Sequence, residues 1–269
     1  MSRIEERFRE LAGRGERALI CFLTAGDPDL ATSEEIVLEL AAAGVDAVEI
    51  GIPFSDPLAD GPSIQASSWR ALEQGVTPRA ALDLVRRVRA RTELPLVLMT
   101  YFNPVQRLGI RWFAQEAASA GADGVIMTDL PPEEAGEWKS AAAEAGLDTI
   151  FLLAPTSTDE RIARVAAIGS GFIYCVSRTG VTGARNELPP DVRDLVGRIR
   201  AATPGPVAVG FGVSSPEQVR EISKWADGAV VGSALVDLIA AKRDSPDLLV
   251  EVRNFASLLK EATRAGILK

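Results

Sequence analysis

A helix-ending glycine, a short apolar strand and a polar loop follow one another in AGVDAVEIGIPFSDPLADGP, residues 43–62. The apolar run at 46–52 is too short for a buried helix, and its flanking residues favour a strand buried on both faces of a parallel sheet. The opening phrase recurs as AGADGV at 120–125 and AGLDTI at 145–150, and WADGAVV at 225–231 is a relaxed copy. This weak internal repeat of one helix-to-strand unit indicates radial repetition.

The same alternation of short apolar runs and amphipathic segments extends over the chain. Strands are predicted at 18–24, 46–52, 95–101, 123–128, 148–153, 171–176, 206–211 and 228–232. Helices are predicted at 30–43, 78–91, 107–120, 132–145, 158–168, 189–202, 215–225 and 233–242, with further helices at 2–13 and 247–264. This order allows a doubly wound sheet or a closed barrel. Eight units, without GxGxxG after the first strand, favour an α/β fold: a (β/α)8 TIM barrel with additional N-terminal and C-terminal helices.

Composition narrows the class of protein. The 269 residues show no composition break, and their formal net charge of −8 argues against binding to nucleic acid or an anionic membrane surface. We therefore expect a single domain over 1–269. The chain has no histidine, which excludes His-dependent nucleophile pairs and His-ligated zinc, so no metal site is expected. Two cysteines in apolar runs and the lack of a signal segment or membrane span predict a cytoplasmic protein.

Three acids lie in or just after the second predicted strand. Glu49 lies inside the apolar run, where a carboxylate is costly unless it is paired or used. A neighbouring group could satisfy it as a core residue. Asp56 and Asp60 lie in the proline-rich loop that follows, where an acid commonly caps a turn. Together, Glu49 and Asp60 indicate an acid/base pair at the barrel mouth, because their different environments would separate their pKa values.

Glycine-rich loops follow the last three predicted strands and indicate a phosphate site. In TIM barrels, the loops after strands seven and eight commonly bind phosphate, and backbone N–H groups of Gly212, Gly232 and Ser233 could converge there. Tight turns are the alternative explanation for each glycine. The long loop at 177–188 is predicted to be a mobile lid.

The remaining residues at strand ends narrow the reaction. None of the five lysines falls on a predicted strand, so Schiff-base chemistry is disfavoured. The chemistry that remains possible is proton transfer by carboxylates on a phosphorylated substrate, without a cofactor. Four aromatic residues would suit a flat apolar ring beside the phosphate, although core packing explains each of them as well. They are Phe22, Tyr101, Tyr174 and Phe211.

Seven segments resemble the tryptophan synthase alpha chain family, in order and over nearly the whole chain. They are FLTAGDPD at 22–29, VEIGIPFSDPLADGPSIQ at 48–65, MTYFNP at 99–104, TDLPPEE at 128–134, VSRTGVTGARNELP at 176–189, GFGVSSPEQV at 210–219 and GSALV at 232–236. The resemblance implies retro-aldol cleavage of indole-3-glycerol phosphate to indole and glyceraldehyde 3-phosphate, in tryptophan biosynthesis. Breaking that carbon–carbon bond requires the indole ring to gain a proton first.

The resemblance also implies a role for each matching position. Glu49 matches the family's acid/base glutamate, and Asp60 matches the carboxylate that binds the indole N–H. Asp129 matches a residue that supports the site from behind. The other matches are Phe22, Tyr101, Tyr174 and Phe211 for the indole pocket, Gly183, Gly212, Gly232 and Ser233 for the phosphate, and Thr182 for the lid residue that meets Asp60 on closure.

A partner is implied by the same resemblance. The family works with a beta chain in an alpha-beta-beta-alpha tetramer, and pyridoxal phosphate belongs to that beta chain, so no cofactor is expected on this one. Asp56, Asn103 and Pro104 match surfaces that face the partner. Two alternatives stay open: a non-catalytic subunit that binds a phosphorylated ligand and activates a partner enzyme, and a free-standing indole-glycerol-phosphate lyase.

Overall fold

A ring of parallel strands forms the centre of the molecule. The computed structural model describes residues 1–176, 190–210 and 212–264. Nine strands in these residues pair in the order β5-β4-β3-β2-β1-β9-β8-β7-β6, all in parallel. They are β1 Ala18–Thr24, β2 Ala47–Gly51, β3 Leu96–Thr100, β4 Gly124–Met127, β5 Asp148–Ile150, β6 Leu152–Leu153, β7 Ile173–Val176, β8 Val207–Gly210 and β9 Gly228–Val231. The predicted TIM barrel is confirmed.

Helices surround the ring. Within the described ranges they are α1 Arg3–Gly13, α2 Leu30–Ala42, α3 Pro62–Glu73, α4 Pro78–Arg89, α5 Phe102–Leu108, α6 Ile110–Ala120, α7 Gly136–Ala145, α8 Asp159–Ile168, α9 Pro190–Ala202, α10 Pro216–Ile222, α11 Ser233–Lys242 and α12 Leu248–Arg264. Thr77 and Ser215 cap α4 and α10, and a proline follows each cap. In the part of the chain that the structure describes, no helix has the length and apolar character needed to cross a membrane.

Two predicted elements are divided in the structure. The predicted strand at 148–153 changes neighbour at Phe151, because β5 pairs with β4 whereas β6 pairs with β7. The predicted helix at 107–120 is preceded by the short α5 and starts later, at α6. Gly109 separates the two helices because its φ of 96° lies in the left-handed region, which a helix cannot continue through.

Apolar side chains pack on both sides of the strands. An outer cluster fills the space between strands and helices, and an inner cluster fills the barrel. Helix α1 closes the amino-terminal end of the barrel, because its buried residues Ile4, Phe8 and Leu11 belong to the inner cluster. At the opposite end lie the carboxyl ends of the strands and the loops that carry functional residues in a TIM barrel.

The repeated aspartate of the AGxD phrase joins neighbouring strands. At the entry to three strands, the aspartate carboxylate accepts a backbone N–H from the first or second residue of the strand beside it. The aspartate's own N–H donates to the carbonyl of that neighbouring residue. The carboxylate bonds are Leu19 N to Asp46 at 2.8 Å, Leu96 N to Asp123 at 2.8 Å and Val207 N to Asp227 at 3.0 Å. Each carboxylate also meets a cation, which is Lys260 for Asp46, Arg89 for Asp123 and Arg200 for Asp227. These aspartates therefore fix strand register at the amino-terminal end.

Asp148 occupies the same place in the repeat without this support. Its N–H donates to the carbonyl of Asp123, but the N–H of Asp123 already donates to the carbonyl of Leu96 and cannot reach the Asp148 carboxylate. Within the described ranges, Asp148 Oδ2 is buried and has no hydrogen-bond partner. Burial raises the pKa of Asp148 above its usual range.

The same substitution should therefore have opposite consequences at two of these aspartates. Asp123→Asn should lower the free energy of unfolding by about 2–3 kcal/mol, because it leaves the enclosed Arg89 guanidinium without its counter-charge. Asp148→Asn should leave stability at pH 7 unchanged or raise it, because burial disfavours the ionised carboxylate. Near pH 3 Asp148 is protonated in both the folded and unfolded chain, so its ionisation no longer contributes there. Urea unfolding measures both variants, and equal losses at pH 7 would contradict this account.

Candidate active site

Glu49 is enclosed in the barrel without a polar partner. It lies in β2, in register with Phe22 of β1 and Val97 of β3, and it is 1% exposed. Among the described residues, neither of its carboxyl oxygens has a hydrogen-bond partner. Burial raises the pKa of Glu49 to about 8. The group is therefore a neutral acid at pH 7 that can donate a proton and then recover one.

Two aromatic rings lie directly against backbone beside Glu49. A Cβ on Gly51, two residues along β2, would come within 2.6 Å of the Phe22 ring. A Cβ on Gly210 of β8 would overlap the hydroxyl of Tyr174 on β7. Only glycine at these two positions leaves room for the rings, so the backbone determines where both rings lie. The rings form apolar walls next to the buried acid.

Asp60 lies in the loop between β2 and α3, beside Tyr101. The Ala59 N–H donates to the Tyr101 hydroxyl at 3.0 Å. Burial raises the pKa of Asp60 to about 6, and a hydrogen bond with Tyr101 lowers it against that effect. Burial and the charges of both Glu49 and Asp60 raise the pKa of Tyr174. Both acids therefore lie within electrostatic reach of Tyr174, at the same end of the barrel.

Backbone N–H groups are offered at the start of α11. Gly232 precedes the helix and Ser233 begins it, and among the described residues no side chain caps this end. Gly232 lies close to Phe22, because a Cβ added there would be 3.5 Å from the Phe22 Cβ. Gly212, exposed and with a φ of 78°, follows β8. A helix start of this kind favours an anion, because its N–H groups and dipole point outward.

The other predicted site residues lie after β4, at or near the surface, or outside the described residues. Asp129 follows β4, and its carboxylate accepts the Phe102 N–H at 2.7 Å at the start of α5. Asp56 and Asn103 are exposed, and Pro104 is half-buried. Thr182, Gly183, Phe211 and the predicted lid at 177–188 lie outside the described residues.

Two polar contacts behind the Asp60 loop were not predicted. Thr24 and Ser67 bring their hydroxyl oxygens to 2.6 Å, and Arg70 donates to both oxygens of the buried Asp27 at 2.8 and 2.7 Å. These contacts join the end of β1 to α3, the helix that begins just after Asp60. The sequence prediction did not include α3 among its helices, because α3 buries Ser67, Ser68 and Ala71 instead of an apolar stripe. The segment TAGDPD, with two polar residues after a buried strand, was the available signal.

Comparison with known proteins identifies the family of the chain. The family model described as tryptophan synthase alpha chain matches residues 8–264. Tryptophan synthase alpha chains from Citrifermentans bemidjiense and Geobacter sulfurreducens are 55% and 52% identical, covering 99% and 97% of this chain and 99% of each relative.

Solved structures give the same result. Tryptophan synthase subunit alpha from Legionella pneumophila superposes with a TM-score of 0.91 at 35% identity, covering 98% of both chains. A chain of Mycobacterium tuberculosis tryptophan synthase superposes with a TM-score of 0.90 at 40% identity, also covering 98% of both. The chain therefore belongs to the tryptophan synthase alpha chain family.

Proposed function

We propose that this chain is the alpha subunit of a tryptophan synthase and cleaves indole-3-glycerol phosphate to indole and glyceraldehyde 3-phosphate. The observation that supports the chemistry most strongly is Glu49, a buried acid that has no hydrogen-bond partner among the described residues and lies at the same barrel end as Asp60. A neutral acid and an ionised carboxylate are the two groups that this reaction needs.

Each acid has a separate role in the proton transfers of the cleavage. Neutral Glu49 donates its proton to the indole carbon that bears the glycerol chain, and the ring becomes a positively charged indolenine. Asp60, ionised, accepts the indole N–H and stabilises that charge. The Glu49 carboxylate then removes the proton of the adjacent hydroxyl, the carbon–carbon bond breaks and its electrons return to the ring. Indole and the aldehyde leave, and Glu49 has regained its proton.

The remaining site residues orient the substrate. Phe22, Tyr101, Tyr174 and Phe211 enclose the indole ring, and the hydrophobic walls keep water from the protonated ring. The phosphate is bound by Gly183, Gly212, Gly232 and Ser233, with the uncapped start of α11 as its main support in the described residues. Thr182 meets Asp60 when the loop at 177–188 closes, and Asp129 supports the site from behind.

A beta chain is the proposed partner, in an alpha-beta-beta-alpha tetramer in the cytoplasm, with pyridoxal phosphate on the beta chain only. The partner surface comprises Asp56, Asn103 and Pro104. Leu58, in the same loop as Asp56, is 92% exposed. An apolar side chain this exposed supports a protein interface at this end of the barrel.

Removing either carboxylate should abolish most of the activity. Glu49→Gln and Asp60→Asn should each lower kcat for indole release by about 100-fold or more, because each removes a charge or proton that the transition state needs. Far-UV circular dichroism should match the unsubstituted chain. Indole release, measured with and without a beta chain, tests the proposal, and near-normal rates in both variants would reject this mechanism. If indole is released only when the beta chain is present, the chain is not a free-standing lyase.

The two pKa values predict a bell-shaped pH profile. Activity requires ionised Asp60 and protonated Glu49, with pKa values of about 6 and about 8. Because Asp60 gains a proton below the first value and Glu49 loses one above the second, kcat/KM should be greatest near pH 7. Initial rates of indole release between pH 5 and 9 measure both limbs. A profile that is flat over this range would exclude the assignment.

Leu58 should contribute to partner affinity. Leu58→Ser should weaken binding of a beta chain by about tenfold, because burying a leucine at an interface contributes over 1 kcal/mol. Leu258→Ser is the matched control, since Leu258 on α12 is also exposed, at 58%. Calorimetric titration of each variant with a beta chain gives the affinities. Equal affinities for the two variants would place the interface elsewhere.

A further inference from the structure

We propose that the Tyr101 hydroxyl is a positioning group that fixes the loop between β2 and α3 and orients the Asp60 carboxylate toward the substrate. The loop comprises residues 52–61, between the end of β2 and the start of α3. The inference rests on the proposed function for the role of Asp60. It gives Tyr101 a task beyond lining the indole pocket, since the hydroxyl and not the ring performs it.

The backbone of Tyr101 is fixed on both sides. Thr100 before it ends β3, and Phe102 after it begins α5. The Phe102 N–H donates to the Asp129 carboxylate at 2.7 Å, which ties the start of α5 to the end of β4. Tyr101 itself is only 5% exposed. Its hydroxyl is therefore held by two strand ends of the barrel, which are the most rigid supports available to a loop.

Three contacts join this side chain to the loop. The Phe54 and Tyr101 rings lie 5.3 Å apart and are tilted by 35°. The Ala59 N–H donates to the Tyr101 hydroxyl at 3.0 Å. Asp60 directly follows Ala59, and the Tyr101 hydroxyl interacts with its carboxyl group and lowers the pKa of that group. One side chain thus contacts the beginning and the end of the loop, and removing it would leave Asp60 without this connection to the barrel.

The direction of these hydrogen bonds follows from the proton of the phenol. Burial and the charge of Asp60 raise the pKa of Tyr101, so the hydroxyl stays protonated at any working pH. Because it accepts from the Ala59 N–H, its proton is free to be donated to the ionised Asp60. Thr128 is a second hydroxyl within hydrogen-bond reach of Tyr101. Its own hydroxyl also donates to the Thr100 carbonyl at 3.3 Å.

Donation to Asp60 also favours its ionised form. Burial raises the pKa of Asp60, and the Tyr101 hydrogen bond lowers it, so the tyrosine keeps the carboxylate charged in the pH range where Glu49 is still protonated. Among the described residues, the titratable side chains that interact with Asp60 are the two tyrosines of the chain, Tyr101 and Tyr174. Tyr174 interacts with Asp60 through its charge alone.

The presence of only two tyrosines permits a direct test that needs no substrate. Tyrosine labelled with carbon-13 at Cζ gives two resonances, and Tyr174→Phe leaves only that of Tyr101. The Tyr101 resonance should shift with a midpoint near pH 6, following the ionisation of Asp60, and this step should disappear in Asp60→Asn. A Tyr101 resonance that does not respond between pH 5 and 7, or that keeps the step in Asp60→Asn, would overturn the proposal.

The kinetic test uses Tyr101→Phe, with Tyr174→Phe as the matched control. Tyr101→Phe keeps the ring and removes the hydroxyl, so kcat for indole release should fall about tenfold, with a smaller change in KM. The acid limb of kcat/KM should move upward by about half a pH unit or more, since Asp60 loses the bond that favours its charge. Tyr174→Phe should leave the acid limb in place. Equal shifts in both variants, or none in Tyr101→Phe, would contradict a positioning role.

The two proposals fail in distinguishable ways. If the unsubstituted chain releases no indole with or without a beta chain, the proposed function is wrong, while the tyrosine resonance still reports on the bond between Tyr101 and Asp60. If indole is released and the resonance is insensitive to Asp60, only the positioning role is wrong. Circular dichroism of Tyr101→Phe shows whether its fold is intact. The resonance of the Tyr174→Phe chain does not depend on that result.

Discussion

The site depends on one constraint: a carboxyl group is surrounded by apolar strands and has no counter-charge among the described residues. Glu49 lies between Phe22 and Val97 on the neighbouring strands, and both of its oxygens are without partners in the described residues. A solvated or ion-paired glutamate would be ionised at neutral pH and could not serve as a proton donor. The barrel therefore keeps Glu49 protonated at neutral pH, because burial among the strands disfavours its ionised form.

Most of the repeat aspartates at the amino-terminal end of the barrel are paired, and the two acids of the proposed site are not. At the amino-terminal end, Asp46, Asp123 and Asp227 are bound by backbone N–H groups and by cations, so their charges are neutralised and their positions are fixed. At the other end, Glu49 and Asp60 lack ion pairs among the described residues. Stability is thus built where the strands begin, and reactive groups are kept where the strands end. This division is the general arrangement of TIM-barrel enzymes.

The strands were predictable because each is a short apolar run flanked by Gly, Pro or Asp, and every observed strand lies within a predicted one. The AGxD repeat was visible, but its cause was not, since the N–H that each aspartate binds comes from a strand distant in sequence. Helix α3 was missed because its buried face is made of serines and alanine. A periodicity of apolar residues cannot reveal a helix that packs through hydroxyl groups.

Part of the site was predictable, because polar and aromatic residues in or beside an apolar strand can be recognised in the sequence. Glu49 could be found because a charge inside an apolar strand is conspicuous, and Asp60 because it shares the neighbouring loop. Sequence indicated Tyr101 only as an aromatic residue near the mouth, since its ring is what strand patterning reveals. The hydrogen bonds of its hydroxyl to Ala59 and Asp60 depend on the path of a loop that is folded over it.

The two acids differ in their hydrogen-bond donors and in the extent of their burial. Burial raises the pKa of both, yet Glu49 reaches about 8 and Asp60 only about 6. Glu49 is fully enclosed and has no donor among the described residues, whereas Asp60 is half-buried in a loop beside the Tyr101 hydroxyl, which lowers its pKa. Adding an N–H or O–H donor to Glu49 would make the acids alike and leave no proton to deliver at neutral pH. The chemistry therefore requires an asymmetry: one carboxyl group is deprived of donors and the other keeps one.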